Sequence, residues 1–574
     1  MAKSLALGLL VLLVLLAPAA IAGEPGATQH AGWLSIVPAL AAIAVALVTR
    51  SVIPALLFGI WLGAWIALGF DDRGNWSGFV LTDGGIALLD TIGVYIRDGM
   101  ADSDRVSIIL FSLLIGGMVG IISRNGGLQG VVNFIVRYAN TDRRAQAATA
   151  GLGVAIFFDD YANSMVVGNT LRPITDAHKV SREKLAYLVD STAAPVATIA
   201  LVTTWIGYEV GLIDTAARQL SGLQESAYSI FLGSLAYSFY PILAIAFVFL
   251  IAWSGRDFGP MLQAERRARS TGKLLRDGAQ IDRAAIDGDE LLPEPKQPQR
   301  AANAIVPIIV LIGGVMAGLL ATGEGEHLRE IVGSADAYTS LVWASLSSCI
   351  IAAALSLAQR ILSLEEVIAA WYAGLRIMMM AMIILVLAWA LADTTSDIGT
   401  ADFLTQILGA SLPPALLPAI VFVLAALIAF ATGSSWSTMG ILMPLVVPLS
   451  WAMIDGDASQ MHIFYSAISC VLAGAVWGDH CSPISDTTVL SSMASGCDHI
   501  DHVRTQLPYA LTVGLIGLLL GTLPTAMGLP SWLAFAISLG APFVVHRALS
   551  RPVAQEASER ESQSSKRSSS AERS

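Results

Sequence analysis

Charge is scarce in this sequence. Asp, Glu, Lys and Arg make up 13% of the 574 residues against 55% hydrophobic residues, and the mean hydropathy is +0.67. A soluble chain of this length could not clothe its surface with so little charge, so the composition implies a polytopic membrane protein. A basic excess is missing too: 33 Lys and Arg face 44 Asp and Glu, a net charge of −11, which gives no footprint for nucleic acid. The 4 cysteines (Cys349, Cys470, Cys481 and Cys497) lie in or beside apolar runs, with neither CxxC spacing nor a secreted framework, and read as free thiols.

What is present is a succession of apolar runs whose flanking charges give a topology, because short cytoplasmic loops are enriched in Lys and Arg. Residues 1–23 read as a signal peptide or a retained signal anchor, with small residues at Ala20, Ala22 and Gly23. A first membrane half is expected over 33–253. In it, 33–49 enters toward Arg50, 53–70 leaves, and the acidic stretch 71–105 forms an external loop. The run 106–123 then returns to Arg124, Arg137, Arg143 and Arg144.

Ala145 to Asp176 is long enough for more than one crossing, yet basic residues flank both its ends, so it must enter and leave on one side. A re-entrant hairpin does this, with Asp159, Asp160 and Asn163 near the tip and Asn169 in the return arm. Irregular backbone at that depth is allowed only inside protein or against water. Next, 185–205 crosses outward with Asp190, Ser191, Thr192 and Pro195 inside it, to a loop holding Glu209 and Asp214; 230–253 returns. The polar segment 254–302 reads as a cytoplasmic linker.

A second half, 303–545, repeats the plan with reversed sidedness. Its hairpin, 412–453, opens outward to the acidic IDGDASQ loop and carries Ser434, Ser435 and Ser437 at its tip. A second interrupted span follows, and the tail 546–574 lies inside. Units 106–206 and 366–495 thus form an inverted repeat, marked weakly by matches such as Phe157 with Phe430 and Ser164 with Ser437 at an offset of 273. Such repeats place ion and substrate sites near the midplane where broken helices meet. The expected fold is all-α: a polytopic membrane protein with an inverted repeat, two re-entrant hairpins and interrupted transmembrane helices.

The most polar stretch in so apolar a setting is GDHCSPISDTTVLSS, Gly478 to Ser492, which holds Asp479, His480, Ser482, Ser485, Asp486 and Thr487. A carboxylate at membrane depth costs several kcal/mol, about 2.5 to 3.5 on insertion scales, and marks a substrate or ion pathway. Carboxylates, hydroxyls and freed carbonyls are hard oxygen donors suited to an alkali cation. A partly dry carboxylate can also exchange that cation for a proton, so Asp159, Asp160, Asp479 and Asp486 are the leading candidates. His480 could titrate as well. Further on, Asp498, His499, Asp501 and His502 stand at a helix entry, where capping is a better reading than metal binding.

The stretches FFDDYANSMVVGNTLRPITD, TGSSWSTMGILMP and GDHCSPISDTTVLSSMASGCDHIDHVRTQLPYAL closely resemble the NhaC family of sodium/proton antiporters, over about Ser35 to Met527. The resemblance implies a secondary transporter of the cell's inner membrane that exchanges sodium for protons by alternating access. The transported Na+ and H+ are its partners besides the lipid bilayer, and no cofactor is needed. The family also contains malate/lactate exchangers and sodium-coupled amino-acid carriers, so a carrier of a small organic or amino acid is the alternative, with Arg172 and the amides near Asn163 and Asn169 binding its carboxylate. The family's likeness to dicarboxylate carriers implies a moving transport domain, a scaffold and a homodimer. An intramembrane enzyme using Asp159, Asp160, Asp479 and His480 is the reading of another class; no nucleophile and base pair stands out to support it.

Overall fold

A computed structural model describes residues 32–49, 51–69, 84–218, 220–280, 297–325, 331, 334–400, 403 and 412–553. The expected leader, residues 71–83 of the acidic stretch, residues 281–296 and most of the tail lie outside the described residues. Among the described residues, nine helices are long and apolar enough to cross a membrane, or ten if the bent pair Ala227–Leu235 and Phe239–Ser254, at 46°, is one span. The two strands, β1 (Arg256–Asp257) and β2 (Arg551–Pro552), form one small antiparallel pair.

The first half opens with α1 (Val37–Thr49) and α2 (Val52–Gly69), then α3 (Ser103–Arg124). Before α3, residues 84–100 are helical throughout, where the sequence suggested an external loop. Leu88, Leu89 and Ile92 of that stretch are exposed, as an apolar helix face lying in a bilayer would be. Asp102 starts α3 as an N-cap, accepting from the Asp104 and Arg105 amides at 3.0 Å each. Hairpin 1 follows as α4 (Asp142–Ala155) and α5 (Asp160–Ala177).

The first interrupted span starts as α6 (Arg182–Asp190) and breaks at 191–193. After a single turn at Ala194–Ala197 it breaks again, then resumes as α7 (Ile206–Ala217). Glu209 and Asp214 are therefore on a helix, not in the external loop the charge pattern suggested, and Glu209 is fully buried. The repeat unit runs on to Ala217 rather than ending at 206. Then α8 (Ala227–Leu235) and α9 (Phe239–Ser254) make the bent span.

Part of the polar segment between the halves is folded. Residues 256–257 pair with the segment after the last helix, and α10 (Gly259–Thr271) is held by Arg269 on Asp142 and Arg267 on Glu183. The second half contains α11 (Ala302–Thr322), α12 (Ala337–Ala358) and the 34-residue α13 (Leu364–Asp397). Hairpin 2 is α14 (Leu417–Thr432) and α15 (Ser435–Met453). The second interrupted span is α16 (Met461–Cys481), a break at 482–485, and α17 (Asp486–Ser495). The chain closes with α18 (His499–Ile516), extended to Ala526, and α19 (Ser531–Leu549).

Contacts between helix ends reproduce the alternation read from charge. At the acidic end, Arg218 after α7 meets Asp102 and Asp104 at the start of α3, and Tyr465 of α16 donates to Glu225 at 2.5 Å. At the basic end, Arg182 reaches the carbonyls of Ser495 and Gly496. Hairpin 1 thus opens toward one end and hairpin 2 toward the other. At 1.5 Å per residue the 14 residues of α4 span about 21 Å, short of the roughly 30 Å hydrocarbon core, whereas the two arms of hairpin 2, 414–432 and α15, are among the nine helices long enough to cross. Exposed apolar side chains on α11, α12 and α19, such as Ile309, Ile350 and Val544, give the bundle its lipid face.

Candidate ion site where the hairpins meet

Hairpin 1 ends on a cap that sets its carboxylates. Asp159 is extended (φ −159°, ψ 127°) and accepts from the Ala162 amide at 2.7 Å, while its second oxygen accepts from Thr204 Oγ1 at 3.0 Å. The Asn163 amide nitrogen donates to the carbonyls of Gly153 (2.6 Å), Ile156 (3.1 Å) and Thr192 (3.0 Å), tying both arms to the first interrupted span. This closeness requires a glycine: a Cβ on Gly153 would lie 2.0 Å from Thr192 Oγ1. Asp160, 1% exposed, faces the Trp205 indole, and neither of its oxygens makes a hydrogen bond of full geometry. It stands within electrostatic reach of Asp159 and of Asp479.

Hairpin 2 ends on the same kind of cap made with a hydroxyl. Ser434 is extended (φ −151°, ψ 119°) and accepts from the Ser437 amide at 3.3 Å. Ser435 and Ser437 are buried, and Ser437 Oγ has no partner. Between them, the Trp436 ring packs 5.2 Å from Trp205 and 4.5 Å from Tyr208, and the Tyr208 hydroxyl donates to the Trp436 carbonyl. The two tips therefore meet through α7. Gly433 takes a left-handed conformation (φ +70°), and a Cβ there would lie 2.4 Å from the Ile484 carbonyl, so hairpin 2 seats directly on the second break.

That break is built differently from the sequence reading. Asp479 and His480 belong to the last turn of α16, and the interruption proper is 482–485. Gly474 and Gly478 let α16 approach α14: a Cβ on Gly478 would lie 2.1 Å from the Ala426 carbonyl. One turn of helix thus carries Asp479 into the bundle, where it accepts from Thr487 Oγ1 at 2.7 Å. Since Thr487 donates to Asp479, it accepts from Ser485 Oγ at 3.0 Å, giving a chain of one polarity that ends on the carboxylate. His480 Nδ1 pairs with the Tyr240 hydroxyl at 2.9 Å and its Nε2 has no partner. Ser482 spends its hydroxyl on the Phe430 carbonyl at 2.8 Å, which makes it a hinge contact. Asp486, the first residue of α17, is exposed, though within electrostatic reach of Asp479.

Asp190 sits in a different environment. It is fully buried and accepts from Thr488 Oγ1 (3.2 Å), Ser491 Oγ (3.1 Å) and Gln506 Nε2. Gln506 also donates to the His480 carbonyl at 3.0 Å, which fixes its amide so that Oε1 faces His502 Nε2 at 2.9 Å. Ser191 is buried beside Tyr187, and Thr192 Oγ1 donates to the Leu188 carbonyl at 2.7 Å. Asp190 thus ties α6 to α17 and α18. Asn169 is half-buried and forms no part of the cluster: nine residues beyond Asp160 on α5, it lies about 14 Å along the helix. Arg172 is further still, about 18 Å.

Several partners escaped the sequence reading. Trp436 lies inside the TGSSWSTMGILMP stretch and Trp205 inside the first interrupted span, and nothing in the local pattern marks either as part of the site. Gln506 stands one position before an apolar run and His502 one turn earlier, so both looked like parts of a helix mouth. Asp498 does cap α18, accepting from Ile500 N at 3.0 Å and Asp501 N at 3.2 Å, whereas His502 is buried and turned inward. Among the described residues, no group of three or more His, Cys, Asp or Glu could hold a metal ion as such ligands do.

Residues 196–523, more than half of the chain, match the family model described as the Na+/H+ antiporter family. The chain belongs to that family. An uncharacterised protein of Haemophilus influenzae is 34% identical over 521 residues, covering 88% of this chain and 93% of that protein. A Bacillus subtilis malate-2H(+)/Na(+)-lactate antiporter is 35% identical over 107 residues, 18% of this chain and 21% of that one. Among solved structures, the Alcanivorax borkumensis YdaH transporter superposes with a TM-score of 0.52 at 18% identity, over 80% of this chain and 91% of that one, a likeness of fold. As a member of the Na+/H+ antiporter family the chain is a multi-pass secondary transporter, and its fold is the inverted repeat with paired hairpins that its charge pattern implied.

Proposed function

We propose that this antiporter-family member exchanges sodium for protons across the cell's inner membrane by alternating access, with Asp160 and Asp479 as the shared seat of the two ions and no cofactor. The observation that carries the reading is Asp160, a buried carboxylate that faces the Trp205 indole and stands beside a second carboxylate, with no cationic side chain among the described residues to pair it. An isolated buried charge is too costly to persist, so the site is neutralised by a bound cation or a proton, and the two compete. The oxygens available are of the hard kind an alkali ion takes: Asp160, the Asn163 Oδ1 and Ser437 Oγ atoms that lack partners, and the hydroxyls leading to Asp479. Hairpins opening to opposite ends, both seated against interrupted spans, supply the two gates.

The alternative, a carrier of an organic or amino acid, has the partial match to the malate/lactate antiporter in its favour. Against it, a substrate carboxylate calls for a cation. Arg182 is committed to Asp176 and Arg172 stands about 18 Å along α5 from Asp160. The deciding experiment is sodium-driven proton flux in proteoliposomes of the purified protein, with and without a panel of dicarboxylates and amino acids. Flux without any organic solute is expected; flux that appears only when one is added would replace this reading by the alternative.

A further inference from the structure

Glu209 is a second buried carboxylate that the cluster does not use. It is fully buried on α7, Thr198 Oγ1 donates to its Oε1 at 2.6 Å, and its Oε2 has no partner. Among the described residues, Thr198 is its one side-chain hydrogen-bond partner and no ion pair reaches it, and its neighbour Tyr208 is turned to the Trp436 carbonyl. A lone buried carboxylate must be neutralised. A sodium ion would need several more oxygens than one threonine hydroxyl, whereas a proton needs only the free oxygen.

Its place in the fold links it to ion exchange. The non-helical stretch 198–205 is strung between two carboxylates, with Thr204 donating to Asp159 at one end and Thr198 donating to Glu209 at the other. The Thr204 amide also donates to the Phe158 carbonyl at 2.9 Å, so movement of the hairpin 1 tip pulls on this stretch. Thr203 Oγ1 bridges it internally, donating to the Ala197 carbonyl at 3.2 Å and accepting from the Trp205 and Ile206 amides at 3.1 Å each.

We infer that Glu209 is a second proton-carrying site, distinct from the Asp160–Asp479 seat, which binds a proton on Oε2 and releases it when the 198–205 stretch rearranges. The inference rests on the antiport reading and adds to it: each sodium is exchanged for one proton at the shared seat and one more at Glu209. Only protons move, and no bond other than O–H forms or breaks.

The test uses the full chain in proteoliposomes with the membrane potential clamped to zero. The pH difference that just balances a fixed sodium gradient rises in inverse proportion to the number of protons carried per sodium. Glu209→Gln is expected to lower that number by one and so to raise the balancing pH difference. An unchanged balance point with an altered rate would reduce Glu209 to a packing residue and overturn the inference. Sodium-induced infrared difference spectra are the second readout, expected to contain a carboxylic-acid band that Glu209→Gln lacks and Thr198→Val shifts. If Glu209→Gln fails to fold, a Thr198→Val spectrum identical to wild type overturns the proposal. Wild-type protein without sodium-driven proton flux would sink the antiport reading and this inference together, whereas normal wild-type flux with an unaltered balance point in the variant sinks this inference alone.

Discussion

Asp159 and Ser434 are N-caps in nearly the same extended conformation, each at the tip of a hairpin and each followed by a buried residue, Asp160 in one case and Ser435 in the other. The two tips are thus one backbone device used twice, 275 positions apart rather than the 273 that the sequence matches suggested. They differ in charge. Tip 1 brings two carboxylates to the meeting point and tip 2 brings neutral hydroxyls, so under the proposed function a positive ion would be held mainly from the hairpin that opens toward the basic end. Tip 2 acts instead through contact, seating Gly433 on the second break and Trp436 on α7. Inverted symmetry in backbone with asymmetry in charge is what the proposed exchange needs: two gates, with the ion's charge partners on one of them.

The comparison breaks if charge at tip 1 proves dispensable. Asp160→Asn is expected to cut sodium-driven proton flux by about 100-fold, equivalent to about 2.7 kcal/mol, whereas Ser435→Ala at the matching position of tip 2 should cost less than about threefold. Comparable losses in the two variants, with expression verified, would show that charge asymmetry is not what matters. Next in size comes Asp479→Asn, expected to lose about 30-fold because Thr487 still has an oxygen to donate to; the exposed Asp486→Asn should stay within about threefold. A pH profile of flux for the two variants checks this, and a larger loss at Asp486 would move the seat to α17.

Gly433→Ala probes contact rather than charge. The left-handed backbone disfavours alanine by roughly 1–3 kcal/mol, and its Cβ would press on the Ile484 carbonyl. We expect a lowered thermal midpoint in detergent; an unchanged midpoint would mean that hairpin 2 is not seated there. Smallest is Ser434→Ala, which removes an N-cap worth about 1 kcal/mol and should reduce stability without abolishing exchange. Loss of all flux in a stable Ser434→Ala protein would give tip 2 a direct hold on the ion.

Sequence made the hairpins visible because charge flanks them: basic residues on both sides of 145–176 and acidic loops around 412–453 admit no other threading. The tips were visible for the same reason, as polar residues midway through apolar runs. Glu209 was not, since a carboxylate a few residues past an apolar run also marks the end of a span, and the non-helical stretch 198–205 contains no Gly or Pro to announce it. The partners of Asp190 were out of reach as well. Gln506 lies 316 residues away, and its role depends on how α18 packs, which local pattern does not encode.

Lys184 adds a constraint on the order in which the molecule can be assembled. Its ammonium is 1% exposed and its counterion is Asp257, itself 2% exposed and held by the Tyr509 hydroxyl at 2.6 Å; eight residues further along the same segment, Glu265 accepts from the Ser181 amide and hydroxyl at the start of α6. A buried lysine without its counterion is costly, so α6 cannot settle while residue 257 is still unmade. As the chain grows from its N-terminus, the first interrupted span must wait at its basic mouth for the segment that follows the first half. It gains its last brace only when Tyr509, nearly the end of the second half, arrives. The first repeat is therefore made early and finished late, with the polar segment between the halves serving as its keystone.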